Sequence, residues 1–230
     1  MSGELERVEL VFPDKVKGWL GSYFPPPEPV PHFTNQKLEE IYSIKKVHIV
    51  VNPFAGKKKG KEISSLISKE LTQTKIENVI YFTDYVNHAE EIVSGIDFQE
   101  GDALMSVGGD GTLSEIITGL LAREDNFSKN IPISIVPSGS GNSQANDMEI
   151  TDYLDAMQRL LNGNIRKIDV GKVTFMSEGS EKVRFSHNLV GWGLGVDANI
   201  MAEKMRFLGP IRYDLGSLMS IIRGKVRRAR

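Results

Sequence analysis

Apolar strands alternate with amphipathic helices along most of this chain. Lys46-Val47-His48-Ile49-Val50-Val51 is rich in β-branched residues and predicts a buried strand. A helix follows it through Ile63, Leu66, Ile67 and Leu71, which share one face at three- and four-residue spacing. The unit then repeats, with a strand near Val79–Thr83 and a helix from Asn87-His88-Ala89 through Ile92 and Val93, for which Asn87 or Thr83 is the candidate cap. A third strand, Ala103–Val107, precedes a helix carrying Leu113, Ile116, Ile117, Leu120 and Leu121, and a fourth covers Ile131–Val136. From Asp152 to Leu161 the spacing of Tyr153, Leu154, Met157, Leu160 and Leu161 predicts another helix, stopped by Asn162-Gly163. Strands separated by helices predict βαβ units, and so an α/β domain with a mainly parallel sheet flanked by helices.

The pattern changes beyond residue 163. Ile165–Phe175 and Val183–Trp192 read as longer strands joined by the polar turn Ser177-Glu178-Gly179-Ser180, the beginning of a β-rich domain. A helical stretch ends in Arg223-Gly224-Lys225-Val226-Arg227-Arg228-Ala229-Arg230, whose basic cluster reads as a solvated end or a helix cut short, with anionic lipid as the functional alternative. At the other end, Pro25-Pro26-Pro27-Glu28-Pro29-Val30-Pro31 forbids a helix and reads as a tether, and Val8, Leu10 and Phe12 alternate like a short edge strand. The expected organisation is an extension and linker over residues 1–45, a nucleotide-binding domain over 46–163, and the start of a second domain over 164–230.

Composition narrows the classes. The chain has 230 residues, 40% hydrophobic and 25% charged, as expected of a globular protein, and its net charge of -2 does not suggest nucleic acid. With no cysteine, disulfides and thiolate metal sites are excluded. His32, His48, His88 and His187 are scattered, and no metal ligand set is read from them. No apolar run approaches the roughly 20 residues needed to span a bilayer, and the first residues lack signal-peptide character, so a cytoplasmic location is expected.

Three polar, glycine-containing turns stand at predicted strand ends, where open α/β sheets bind ligands. The most informative is Gly108-Gly109-Asp110-Gly111-Thr112, followed by Glu115. Its glycines let the backbone approach a bulky anion, and the helix expected to start at Thr112 or Leu113 directs N–H groups at it. Asp110 is the unusual member: beside phosphate a carboxylate implies a metal ion or a proton-transfer role, unless it is a turn residue satisfying neighbouring amides. The second turn, Asn52-Pro53-Phe54-Ala55-Gly56 with Lys57, Lys58, Lys59 and Lys61, is one residue short of the Walker spacing and has Glu62 where Ser or Thr binds magnesium. The third is Pro137-Ser138-Gly139-Ser140-Gly141-Asn142. Gly193-Leu194-Gly195-Val196-Asp197-Ala198 fits a dinucleotide fingerprint but lacks the surrounding βαβ unit, and it is discounted.

In this order the three turns resemble the catalytic domain of diacylglycerol and sphingosine kinases, a similarity running from about residue 46 to the end. Asn87-His88-Ala89-Glu90-Glu91 and the Glu203-to-Arg212 series look most like sphingosine kinases, while Asn52-Pro53-Phe54 and Arg212-Tyr213-Asp214 are also similar to ceramide kinase. The resemblance implies a nucleotide domain followed by a β-sandwich lipid-binding domain, with ATP and magnesium between them. It implies that Asn52, Pro53, Gly56 and Thr83 sit at the nucleotide with Gly108, Gly109, Gly111, Thr112 and Glu115. Ser138, Gly139, Ser140, Gly141 and Asn142 would build the phosphate cradle, and Arg206 and Arg212 would reach the phosphates. Asp110 would be the general base, and Leu194, Asp197 and Asn199 would join it on the substrate side.

The activity so implied is ATP-dependent phosphorylation of the primary hydroxyl of a sphingoid base, with ceramide and diacylglycerol as alternatives. Peripheral membrane contact is expected, nucleic acid is not, and a homodimer is left open. Two departures matter: Asn199 stands where sphingosine kinases carry an Asp for the substrate's ammonium, and the remaining chain is short for the second domain. A neutral lipid, or a substrate turned toward Asp197, therefore stays open, as does a truncated, non-catalytic nucleotide binder. NAD kinases and phosphofructokinases share the Gly-Gly-Asp-Gly-Thr turn but are not expected to carry the Asn52-Pro53 loop.

Overall fold

A computed structural model describes residues 42–125, 127–163, 165, 167–177, 179–188, 194–205, 208 and 211–224. The N-terminal edge strand and proline-rich tether, Arg206, and the basic cluster 225–230 lie outside these residues. Strands β1 (Lys46–Val51), β2 (Glu77–Phe82), β3 (Asp102–Gly108) and β4 (Ile133–Pro137) form one sheet in the order β2-β1-β3-β4. All neighbours are parallel, with Val50 beside Tyr81 on one side and Ser106 on the other. Parallel strands need long crossovers, which α1 (Gly60–Gln73), α2 (His88–Gly95) and α3 (Asp110–Leu121) provide. After β4 come the short α4 (Ser143–Asp147) and then α5 (Tyr153–Leu161).

Both sheet faces are covered, which explains the nearly continuous apolar strands. Val47, Ile49 and Val51 point into a core with Ile67 and Leu71 of α1 and with Met157 and Leu160 of α5. On the other face Val50 and Leu104 meet Ala89 and Val93 of α2 and Ile116 and Leu120 of α3. Burying each large apolar side chain contributes about 1.5–3 kcal/mol. The buried stripe of α1 is Gly60, Ser64, Ile67 and Leu71. Leu66, expected on that face, sits on its flank and is exposed, as are Leu154 and Leu161 of α5, because the stripe in contact is narrower than the apolar pattern. Asp152 caps α5 by accepting the N–H groups of Leu154 and Asp155.

Two helix starts differ from expectation. Helix α3 begins at Asp110, so the glycine turn leads into the helix without an intervening loop. Asn87 precedes α2 in a left-handed conformation (φ 69°) and makes no side-chain cap. Glu115 of α3 supplies a cap from outside, accepting the Ala89 N–H at 3.2 Å.

Beyond residue 163 the polar turn is where the pattern predicts it, between β5 (Gly171–Ser177) and β6 (Ser180–Ser186), an antiparallel pair with Ser177 opposite Ser180. Strand β5 starts six residues after the expected Ile165, residues 189–192 of the second expected strand lie outside the described residues, and α6 (Leu194–Lys204) and α7 (Arg212–Arg223) follow. The sequence pattern predicts no helix over 194–204, where Gly195, Ala198 and Ala202 weaken the apolar periodicity. Those small residues let α7 approach closely: a Cβ on Gly216 would press on the Ala198 carbonyl.

Candidate active site

The strand order reverses between β1 and β3, so the loops after these strands frame the crevice where open α/β sheets take ligands. Ladder bonds continue one residue past the strands and hold the loop starts side by side. Asn52 N–H donates to the Val107 carbonyl, Thr83 N–H to Val51 and Ser138 N–H to Gly108, each at 2.9 Å.

Glycines then let the loops touch. A Cβ on Gly139 would fall on the Gly109 Cα, and one on Gly56 would fall on the Ser138 carbonyl oxygen. Gly56 also has φ +48°, a left-handed conformation that glycine adopts without strain. Gly108 is confined by the Thr112 side chain, whereas Gly111 faces open space. The three turns read separately from the sequence are therefore one surface.

Side chains lock this surface. Asn52 donates through Nδ2 to Thr112 Oγ1 at 3.2 Å and accepts the Phe54 N–H through Oδ1 at 2.9 Å, tying the first loop to α3. Pro53 lies in the turn so closed. Asn142, left-handed at φ 56°, closes a ring on Gly139, accepting its N–H at 2.8 Å and donating to its carbonyl at 3.1 Å. Within that loop Ser140 is exposed, Gly141 lies against Asp110, and the buried Ser138 Oγ has no hydrogen-bond partner.

The chemistry of this surface suits an anion. The amino ends of α1 and α3 carry no side-chain cap and so leave N–H groups for phosphate oxygens. Exposed lysines 57, 58 and 59 stand in the first loop and exposed Lys61 in the first turn of α1, its Nζ 5.6 Å from the Phe82 ring centre. The glycine cradle, open helix ends and orphaned Ser138 hydroxyl all fit a polyphosphate. Among the described residues no three His, Cys, Asp or Glu side chains gather to hold a metal ion.

Asp110 is half-buried, and both its oxygens are engaged. Oδ2 accepts the Ser143 N–H at 3.0 Å and Oδ1 the Gln144 N–H at 3.1 Å, so the carboxylate caps α4. A carboxylate has about four acceptor sites, leaving capacity for a substrate proton. Buried Gln144 also meets His187, whose Nδ1 lies 3.1 Å from Gln144 Oε1. Burial lowers the proton affinity of this imidazole, against the opposing pull of the Asp110 carbonyl and carboxylate. Neither Gln144 nor His187 was singled out from the sequence, since no local motif connects them to Asp110.

The remaining expected residues divide. Thr83 is buried at the end of β2, and Glu115 is occupied at the start of α2. Leu194 opens α6, where Asp197 is half-buried and Asn199 exposed. Arg212 is not brought to the loops. It is buried, donates from Nη2 to Tyr213 Oη at 2.8 Å, stacks on the Tyr213 ring, and stands 3.8 Å from Glu203 Oε1. Its Nε is buried without a hydrogen-bond partner.

Residues 46–173 match the family model described as the diacylglycerol kinase catalytic domain. The chain belongs to this family. The matched stretch of the diacylglycerol kinase catalytic domain runs from the first residue of β1 into β5 and contains all three loops and Asp110, while α6 and α7 lie beyond it. Sphingosine kinase 1 of Arabidopsis thaliana is 36% identical over 195 residues, covering 82% of this chain and 39% of that protein. Sphingosine kinase 2 of Homo sapiens is 30% identical over 185 residues (75% of this chain, 28% of the relative). Ceramide kinase of Homo sapiens is 27% identical over 221 residues, covering 87% and 41%. This chain therefore spans about two fifths or less of the length of these relatives.

Proposed function

We propose that this chain carries the nucleotide-binding half of an ATP-dependent lipid kinase that phosphorylates the primary hydroxyl of a sphingoid base. The observation that carries the reading is the meeting of three glycine loops at the sheet's switch point with Asp110 on their rim. The loop amides and the open ends of α1 and α3 bind the phosphates, and Gly56, Gly109 and Gly139 let the three loops touch so that their amides serve one anion. Asn52 and Asn142 hold the loops in register. Asp110 accepts the hydroxyl proton as the lipid oxygen attacks the γ-phosphorus, since an alcohol does not ionise at neutral pH. A magnesium ion brought with ATP would supply positive charge to offset that of the phosphates.

Residues 46–163 form the nucleotide domain in this reading, and 164–230 begin the lipid-binding domain, a β-sandwich with its substrate side near Leu194, Asp197 and Asn199. Arg206 and Arg212 belong to its nucleotide-facing surface, and Arg212 changes partners on binding ATP. The protein works in the cytoplasm and meets membranes peripherally. A specific observation favours a second substrate reading: Asn199 is an exposed amide that cannot pair with an ammonium as a carboxylate does, which suits ceramide or diacylglycerol. Transfer of labelled γ-phosphate from Mg-ATP to sphingosine, ceramide and diacylglycerol, side by side, separates these readings. Labelled sphingosine that disappears in Asp110→Asn supports the sphingoid reading, and a labelled neutral lipid moves the assignment. ATP binding without product from any lipid, in this chain and in a longer one, overturns the kinase reading.

A further inference from the structure

We infer that His187 is a positioning residue for Asp110, acting through Gln144 from the strand region outside the nucleotide core. The inference rests on the kinase reading for its catalytic consequence, but its structural part stands alone. Three contacts carry β6 and the residues after it onto the α/β core. Arg184 Nη1 lies 3.3 Å from Glu90 Oε2 of α2, Phe185 N–H donates to Thr118 Oγ1 of α3 at 3.5 Å, and His187 Nδ1 stands 3.1 Å from Gln144 Oε1 of α4. The last of these reaches the reacting carboxylate in one further step, because the Gln144 N–H donates to Asp110 Oδ1.

Helix α4 has only five residues, too few to hold its own position, since a helix this short is marginal without outside contacts. Its amino end is fixed on one side by Asp110 and on the other by His187. A neutral imidazole carrying its proton on Nδ1 donates to the acceptor oxygen of Gln144 and holds that side chain against the site. Loss of this bond frees Gln144, loosens the turn at Ser143 and Gln144, and lets the Asp110 carboxylate leave the position from which it accepts the proton. The groups acting on the ring are burial, the Asp110 carbonyl and the Asp110 carboxylate. Burial favours the neutral imidazole, and the Nδ1–H donor this role uses is present in that tautomer and in the imidazolium alike.

The test has two arms on the 230-residue chain. In the first, the ring signals of His187 and the amide signals of Ser143 and Gln144 are followed by NMR from pH 5 to 8. Both amides are expected to titrate with the His187 ring and to lose that inflection in His187→Leu and His187→Asn. Amides that titrate identically without the imidazole overturn the inference. In the second arm, His187→Leu should lower kcat for lipid phosphorylation about ten- to a hundredfold with the KM for ATP little changed, as expected of a misplaced base. His187→Asn, whose amide donates from nearly the Nδ1 position, should restore most of the rate and remove the imidazole's contribution to the acid limb of the pH profile. A His187→Leu enzyme with wild-type kcat and pH profile overturns the positioning role, as does a loss that Asn does not rescue in a folded protein. Should the wild type phosphorylate no lipid, the kinase reading falls, and the NMR arm still decides whether His187 holds the Asp110 turn.

Discussion

Strands β3 and β5 are each seven residues long, and they are stabilised in opposite ways. Every residue of β3 is buried between two layers of helices, whereas five of the seven residues of β5 are exposed and none is buried. An isolated two-stranded hairpin is marginal in water. Here β6 gains its support from the α/β core through Arg184, Phe185 and His187. The difference teaches that the core can hold the nucleotide loops rigid by itself, while whatever the hairpin contributes reaches the site through a few side-chain contacts.

The largest effect expected within the core is on Asp110. Asp110→Asn should lower phosphoryl transfer about 10²–10⁴-fold, the usual worth of general-base catalysis, with ATP affinity by calorimetry nearly unchanged. The same change leaves one of the Ser143 and Gln144 amides without an acceptor, so urea unfolding should also show a loss of about 1–3 kcal/mol. If ATP affinity falls in step with the rate, Asp110 is a structural cap of the site and not a base.

Next come paired truncations that set the two regions against each other. Ile116→Ala, at a position 0% exposed, should cost about 2–5 kcal/mol. Ile222→Ala on α7, at a position 75% exposed, should stay within about 0.5 kcal/mol by the same urea titration. Comparable losses at the two sites would show that α7 is covered in solution. Within the site, Gly139→Ala drives a methyl into the Gly109 backbone and should cost about 1–3 kcal/mol together with ATP affinity. Full ATP binding by this variant would refute the touching-loop cradle.

Smaller effects test the hairpin's attachment. The Arg184–Glu90 pair is partly exposed, so Arg184→Ala should cost about 0–1 kcal/mol overall. Amide exchange should nonetheless quicken in β5 and β6 and not in β1 to β4, and uniform exchange would mean that the two regions open as one. The smallest effect is on pH dependence. His187 binds a proton less readily in the fold than at its ordinary value of 6.5, so its contribution to stability is complete above 6.5 and is lost as pH falls through the lower folded value. Thermal unfolding between pH 5 and 8 should show this acid loss in the wild type and a shallower one in His187→Asn.

Much of the core was legible from the chain because its signals are local. Lys46–Val51 has the bounds its apolar run predicts, and Asp152 and Gly163 punctuate α5 as their residue types require. The same local logic failed at α2, where Asn87 was the natural cap and Glu115 takes the role from another helix. It failed again at 194–204, where small residues that serve close packing of α6 on α7 leave a weak apolar pattern. At the candidate site the three glycine turns could be named from residue types alone, but the partners of their side chains could not.

The sequence by itself determined the alternation of strands and helices, the three glycine turns at strand ends and the family to which they point. Those features depend on periodicity and on backbone freedom within a few residues. Only the tertiary structure decided that Gly109 and Gly139 touch, that Asp110 caps a helix starting 33 residues later, that His187 meets Gln144 across 43 residues, and that Arg212 turns to Tyr213 and Glu203. Each of these contacts forms because the parallel sheet brings distant loops to one edge, or because packed elements bury a polar group and require a partner for it. No local pattern specifies which partner that will be.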